Sequence, residues 1–484
     1  MKRCLPLNPV VSEMEGQVLK DKDLVYDLVN AFGSPLNLVF PQEVSKNHKE
    51  FTSLFDDMEV DGKILYAQKA NKSTALLREI IYQGAGTNNA SLPEIQHALA
   101  NGCPAECAEA GGPKTEEYVS HSVFSGVLVN IDSISEIERV VLSAQGHNKK
   151  ARIMLRLSGF KAEGVQVLSK PTRFGINVDD LDTVCAYIQK HNAHIIFEGF
   201  SYHLDTVAFS EKRIALDGLV KAVFVARKYG LTTRYLDIGG GYKVNYLEDR
   251  KQWDRYMTAL REALLEKQPA LTWQGTGFGL RVHCGVIQGN LNMYSYYDDT
   301  VGRDYLYELL KQKSSHADMS FIEFFNQTRI TLVLEPGRAM LAGAGMTVAK
   351  VDEVRKNSNG DVFVRLDMNR ADVTIQDLEL FVDPMIVSQN EEAKKEKLDD
   401  GCYLIGNLCL ESDFISRRKV FLPHCPQVGD LLSFVNSAAY ISDFNSHSAA
   451  MQRTAQKVAV YRGENGKLKW VKDDQYWPKV TNEK

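Results

Sequence analysis

Lys63-Ile64-Leu65-Tyr66-Ala67-Gln68-Lys69-Ala70-Asn71 is a hydrophobic strand that ends on a lysine. Small and polar residues follow it, and the stretch from Thr74 to Tyr82 then reads as a helix. A strand that passes directly into a helix is the repeating unit of a parallel sheet covered by helices. A lysine at the C-terminal end of such a strand, between Ala67 and Ala70, can be held close to a flat ring. Its amine can form a Schiff base with an aldehyde when partly desolvated. Most lysines after strands are solvated surface groups, so the meaning of Lys69 depends on what stands at the other strand ends.

The same unit recurs between about residues 40 and 340. Strand-like apolar runs occupy 63–67, 126–131, 152–157, 195–202, 235–238 and 330–334, and amphipathic runs such as 211–229 lie between them. This suits a TIM-type (β/α)8 barrel, for which about 250 residues are typical; a doubly wound open sheet is the alternative. The tail differs. Short runs at 348–354, 362–366, 420–422, 430–435 and 457–461 are separated by turn signals such as Asn357-Ser358-Asn359-Gly360 and Gly463-Glu464-Asn465-Gly466. That pattern predicts an all-β domain. Glu391-Glu392-Ala393-Lys394-Lys395-Glu396-Lys397 reads as a solvated charged segment.

Composition narrows the class. The 484 residues are 44% hydrophobic and 25% charged, enough for an ordinary core. A net charge of −5 gives no basic excess to attract nucleic acid or an anionic membrane. Met1-Lys2-Arg3-Cys4-Leu5-Pro6-Leu7 lacks the apolar core of a signal peptide, and no run is long enough to span a bilayer. Eight scattered cysteines suggest no disulfide framework and point to a reducing cytoplasm. Cys103 and Cys107 lack a second Cys/His pair at matching spacing, so no metal site is expected.

Three further clusters fall at strand ends. His203 follows Phe197-Glu198-Gly199-Phe200-Ser201-Tyr202, Gly239-Gly240-Gly241 follows Asp237-Ile238, and Glu335-Pro336-Gly337-Arg338 ends the run 330–334. Three glycines can close around a phosphate with no Cβ in the way, although a tight turn uses the same residues. Glu335 and Arg338 can pair locally, or serve a buried cation and an anion respectively. In the tail, Gly406-Asn407-Leu408-Cys409-Leu410-Glu411-Ser412-Asp413 and Ser437-Ala438-Ala439-Tyr440 carry a thiol, two acids and a phenol.

Taken in order, these motifs resemble the fold-type III pyridoxal-phosphate (PLP) decarboxylases, the family of diaminopimelate, ornithine and arginine decarboxylases. The match comprises Tyr66-Ala67-Gln68-Lys69-Ala70-Asn71, Ala90-Ser91-Leu92-Pro93-Glu94, Arg173-Phe174-Gly175 (often Lys-Phe-Gly in the family), His203, Gly239-Gly240-Gly241, Glu335-Pro336-Gly337-Arg338, Cys409 with Asp413, and Ala439-Tyr440. The resemblance implies an alanine racemase-like architecture. Residues 1–40 would join the β domain, 41–340 would form the PLP-binding barrel, and 341–484 would form the C-terminal β domain. Lys69 would hold PLP and reprotonate the product. His203 would stack on the ring, and Gly239, Gly240, Gly241, Arg338 and Tyr440 would bind the phosphate. Glu335 would pair with the ring nitrogen. Cys409 would act as an acid near Cα, contributed across a cytoplasmic homodimer with shared active sites.

The departures fall on the substrate side. Asn89 stands where the family usually has an aspartate before Ala-Ser, and Asp205-Thr206 replaces Gly-Ser after the histidine. Leu410 occupies the place of a substrate-binding glutamate, with Glu411 one position late. The family's Arg-Pro-Ala-Leu-Tyr segment aligns best with Asp377-Leu378-Glu379-Leu380-Phe381, which puts Asp377 at the arginine. Asp377, Glu411 and Asp413 are therefore the candidate substrate contacts. The long stretch between Gly241 and Glu335 holds Phe278-Gly279-Leu280-Arg281-Val282-His283 and Tyr294-Ser295-Tyr296-Tyr297, as a surface insertion or as a wall of an enlarged pocket. The expected activity is decarboxylation of a basic amino acid, or of one conjugated to a carrier or siderophore precursor, rather than of meso-diaminopimelate. The alternatives are an amino-acid racemase, in which arginine rather than an acid meets the ring nitrogen, and a non-catalytic PLP-binding regulatory paralogue.

Overall fold

The computed structural model describes residues 4–161, 172–204, 208–374, 378–389 and 396–478. Eight parallel strands form a closed ring: Gly62–Ala67, Gly86–Asn89, Ala108–Ala110, Leu128–Ile131, Ala151–Ser158, Ile195–Ser201, Tyr235–Asp237 and Thr331–Leu334. Each pairs with its neighbours in chain order, and Leu334 beside Ile64 closes the circle. Because none of these eight strands is left as an edge, the open doubly wound alternative is excluded. Most of the strands carry apolar runs because helices cover their outer faces. On the helix Phe209–Lys228, Ala215, Leu216, Leu219, Val220, Val223 and Ala226 are buried, which is the 3.6-residue stripe expected of a covering helix.

Two barrel strands, Gly86–Asn89 and Ala108–Ala110, carry no apolar run that would announce them. They are short, and Asn88, Asn89 and Glu109 are part of them. These polar residues serve the barrel mouth, which is why the hydrophobic pattern passes over them.

The second unit is an all-β sheet. Its main path runs Phe414–Val420, Cys402–Ile405, Val362–Leu366, Gly345–Lys356, Leu36–Val39, Gln456–Arg462 and Leu468–Lys472. Leu431–Phe434 pairs with Gly345–Lys356, and Met385–Val387 pairs in turn with Leu431–Phe434. The N-terminal strand Leu36–Val39 lies inside this sheet, antiparallel to Gly345–Lys356 and parallel to Gln456–Arg462. Both Gly-ended turns are hairpins: Asn357 N–H bonds Asp361 O, and Gly463 N–H bonds Lys467 O. Of the run at 420–422 only Val420 is strand; the strand lies at Phe414–Val420. Arg417, Arg418 and Lys419 hid it, because Arg418 is fully buried against Asp383 at 2.7 Å.

Between the last two barrel strands stand the helices Arg250–Leu264, Gly302–Leu310 and Phe321–Thr328 and an exposed hairpin, Arg281–His283 with Val286–Gln288. Most of the charged segment after Asn390 lies outside the described residues.

Candidate active site

Lys69 sits in the single turn Gln68–Ala70 that caps the first barrel strand. Every neighbour of that turn is tied down. Ala67 N–H bonds Pro336 O at 3.4 Å, and Ala70 O accepts from Tyr440 N–H at 2.9 Å. Gln68 Nε2 lies 2.7 Å from His97 Nδ1, and Asn71 Nδ2 donates to Ala438 O at 2.8 Å. Ser73 then caps the helix Thr74–Tyr82 by accepting from Leu76 N–H. The lysine therefore stands where the barrel, the Glu335 loop and the β domain meet.

Glu335 faces it from the last barrel strand. Its Oε2 is 3.7 Å from His203 Nδ1, and its Oε1 accepts from Asn88 Nδ2 at 2.6 Å. Burial opposes the Glu335 charge, but His203, Lys69 and Arg156 outweigh it and hold the carboxyl below its ordinary range. His203 is pushed the other way: burial lowers its imidazole against the pull of Glu335. Glu109 and Asp237 lie in the same buried group, and one oxygen of each carboxylate in this trio falls within 4.8 Å of the others. Burial raises both, and the Glu335 charge adds to it.

The three glycines pack directly beside Glu335, whose N–H bonds Gly239 O at 3.0 Å. Gly239 and Gly241 have φ of +67° and +84°, a region that favours glycine. At Gly240 a Cβ would meet Glu335 O at 2.5 Å, so a side chain has no room there. Gly239 N–H donates to Asp237 Oδ1 at 2.8 Å, while the buried Lys212 donates to Gly240 O. Burial pushes the Lys212 amine down to about 8, against the carboxylates of Glu335 and Asp237.

Arg338 is caged by tyrosines. Its Nη1 donates to Tyr246 Oη at 2.7 Å, and its guanidinium lies 3.8 Å from the ring centre of Tyr294 and 5.2 Å from that of Tyr440. Burial raises the Tyr440 phenol to about 12. Tyr294 comes from the long stretch before the last barrel strand. That stretch also packs Tyr296 against Trp253 and Phe381. At this point it is a wall of the site, whereas its exposed hairpin borders a separate cleft of about 820 Å³ lined by Phe278, Arg281 and Arg417.

The structure thus gathers Lys69, His203, Gly239, Gly240, Gly241, Glu335, Arg338 and Tyr440 at one end of the barrel. Cys409 and Glu411 are exposed on a loop of the β domain. Among the described residues no hydrogen bond or ion pair joins that loop to Lys69 or Glu335. Asp413 is buried, and its carboxylate accepts from Leu408 N–H at 2.8 Å and Arg370 N–H at 2.9 Å, which shapes the loop. Phe174 lies against Arg156, 4.8 Å from guanidinium to ring centre. Asp377 and the Asp205-Thr206 pair lie outside the described residues. Asn88, not Asn89, reaches the acids, because Asn89 Nδ2 turns back to Thr87 and to Glu109 O. Alternation along the strand sends neighbours to opposite faces, and the Asn88-Asn89 pair gave no hint of which face was which. Glu109, Lys212, Tyr246 and Tyr294 were also not foreseen. Only Tyr294 had a signal, in its aromatic run.

Residues 41–275 match the family model described as "Pyridoxal-dependent decarboxylase, pyridoxal binding domain". The chain is 26% identical over 471 residues to an uncharacterised protein of Sinorhizobium fredii, covering 96% of each. It is 23% identical to the diaminopimelate decarboxylase of Aquifex aeolicus, covering 96% of this chain and 95% of the relative. A crystal structure of diaminopimelate decarboxylase from M. jannaschii in complex with L-lysine superposes with a TM-score of 0.68 at 18% identity, covering 92% of this chain and 91% of that one.

Proposed function

Because the chain belongs to the fold-type III family of PLP-dependent decarboxylases, we propose that it removes the α-carboxylate of an amino acid or amino-acid conjugate at the Lys69 end of the barrel. The observation that carries this reading is the juxtaposition of a lysine, a buried carboxylate whose neighbours favour its charge, and a close-packed glycine wall. The residues fit the cofactor. Glu335 presents a negative charge for a protonated ring nitrogen, and Gly240 and Gly337 leave backbone where a Cβ could not stand. PLP, when bound, supplies an electron-poor ring that accepts the electron pair left by the departing carboxylate.

The chain's own groups do the rest. Lys69 anchors the cofactor and returns a proton to the product's Cα. His203 covers the ring face, and its neutral form suits stacking. Gly239, Gly240, Gly241, Arg338 and Tyr440 hold the phosphate. Glu335 holds the ring-nitrogen proton and keeps the ring electron-poor. Cys409 acts as an acid at Cα from a partner subunit, which makes the active form a homodimer. A cytoplasmic location belongs to the same proposal; no helix among the described residues is long and apolar enough to cross a membrane. We place the domain boundaries near residues 40 and 340.

On the substrate side, Leu410 is 60% exposed on the Cys409 loop and offers no charge to a distal ammonium or carboxylate group. Our reading is a substrate other than meso-diaminopimelate, with Asp377, Glu411 and Asp413 as the proposed polar contacts. Carbon dioxide release over a panel of amino acids and conjugates tests this, and rapid turnover of diaminopimelate would sink it. Lys69→Ala is expected to abolish the lysine-bound PLP absorbance; persistence of that band would refute the cofactor assignment.

A further inference from the structure

A line of hydrogen bonds runs beneath Glu335. Ser201 Oγ donates to Asn130 Oδ1 at 2.9 Å, and Asn130 Nδ2 donates to Glu109 Oε1 at 2.8 Å. The Asn88 amide then donates to Glu109 Oε1 at 3.0 Å and to Glu335 Oε1 at 2.6 Å. An amide NH2 has two hydrogens, and here each goes to a different acid. Four of the eight barrel strands supply members of this line before it reaches Glu335.

Three ionised carboxylates cannot share a dry pocket at this spacing. The cations decide which one keeps its charge. Lys69 and Arg156 act on Glu335, to which His203 adds a hydrogen bond, and Lys212 faces Glu335 and Asp237. Among the described residues no lysine, arginine or histidine pairs with Glu109. Its titratable neighbours are Glu335, Asp237 and the Tyr118 phenol, whose hydroxyl donates to Asn89 O at 2.8 Å. Glu109 Oε2 is buried and accepts no hydrogen bond among the described residues, while a proton on Glu109 faces the Glu335 carboxylate.

We propose that Glu109 is a positioning residue for Glu335: a neutral buried acid that, through Asn88, orients Glu335 toward the cofactor ring nitrogen and leaves the one negative charge there. Without Glu109, the Asn88 amide keeps one hydrogen unpaired and is free to turn its carbonyl toward the Glu335 carboxylate, which repels it. The inference rests on the Glu335 role proposed above and assigns work to a residue outside the recognisable motifs.

The test uses the full chain reconstituted with PLP and read by absorbance. Glu109→Ala is expected to raise the PLP Kd about tenfold, the loss of one hydrogen bond to a charged group. It is also expected to shift the pH at which the bound chromophore titrates. Glu109→Gln keeps the shape and the acceptor without a charge, and is expected to rescue both. Circular dichroism of the apo forms checks folding. If Glu109→Ala does not fold, Asn88→Ala cuts the same link from the other side and must reproduce the shift. Wild-type behaviour of the folded Ala variant overturns the proposal, as does a Gln variant as impaired as Ala. Stabilisation of the wild type by Mn2+, lost in Glu109→Gln, also overturns it, because the trio is then a cation site. Failure of the wild type to form a lysine-bound chromophore is a different result; it removes the Glu335 role itself.

Discussion

Gly337 shows how little slack the site has. A Cβ there would lie 2.6 Å from Tyr440 Oη, and Tyr440 itself adopts φ +62° while its N–H holds Ala70 O beside Lys69. Gly337→Ala should therefore push the phenol away, at a cost of about 1–3 kcal/mol typical of overpacking, with a lower Tm and weaker PLP binding as the readouts. Glu335→Gln is expected to keep the fold and lower the decarboxylation rate by roughly 100-fold, the scale of losing one preorganised charge, measured as kcat with PLP saturating. The acids also leave a thermodynamic mark. Glu109 is raised to about 8 by burial and the Glu335 charge, from an ordinary value of 4.5. Between those values the unfolded chain loses this proton before the folded chain does, so the residue's contribution to stability falls as pH rises through the window. The apo wild type should therefore lose Tm relative to Glu109→Gln from pH 5 to pH 8. A constant difference would show that Glu109 ionises normally.

At the scale of elements, legibility followed apolar pattern. Thr74–Tyr82 and Val362–Leu366 were readable to the residue, because spacing and β-branching agree with their burial. Gly86–Asn89 and Ala108–Ala110 were not, since a strand that supplies polar groups to a barrel mouth gives up the signal that marks a strand. The Lys69, Gly239 and Glu335 stretches were legible because sharp turns leave rare residue orders. Asn88 and Glu109 were not, because their importance lies in what they face across the barrel. The segment that carries Tyr294 contributes one ring to the cage around Arg338. Tyr294→Ala is expected to weaken PLP binding severalfold, in line with about 1 kcal/mol for a cation–π contact. Unchanged affinity would mean that Tyr246 alone positions Arg338.

At the scale of the molecule, no hydrogen bond or ion pair among the described residues joins the Cys409 loop to Lys69 or Glu335, and the proposed shared site makes a sharp demand on assembly. Mixing Lys69→Ala with Cys409→Ala subunits should recover about a quarter of wild-type carbon dioxide release, because half of randomly paired dimers carry one intact site. No recovery from subunits shown to exchange would place the thiol outside the partner's site. The position of Leu36–Val39 bears on a different matter, how the chain comes to be folded at all. Its two neighbours in the sheet are Gly345–Lys356 and Gln456–Arg462, hundreds of residues downstream. During synthesis the barrel residues leave the ribosome long before those partners exist. The buried strand Leu36–Val39 must therefore wait unpaired in the nascent chain until the whole barrel has been made, and for its second partner until nearly all of the protein has.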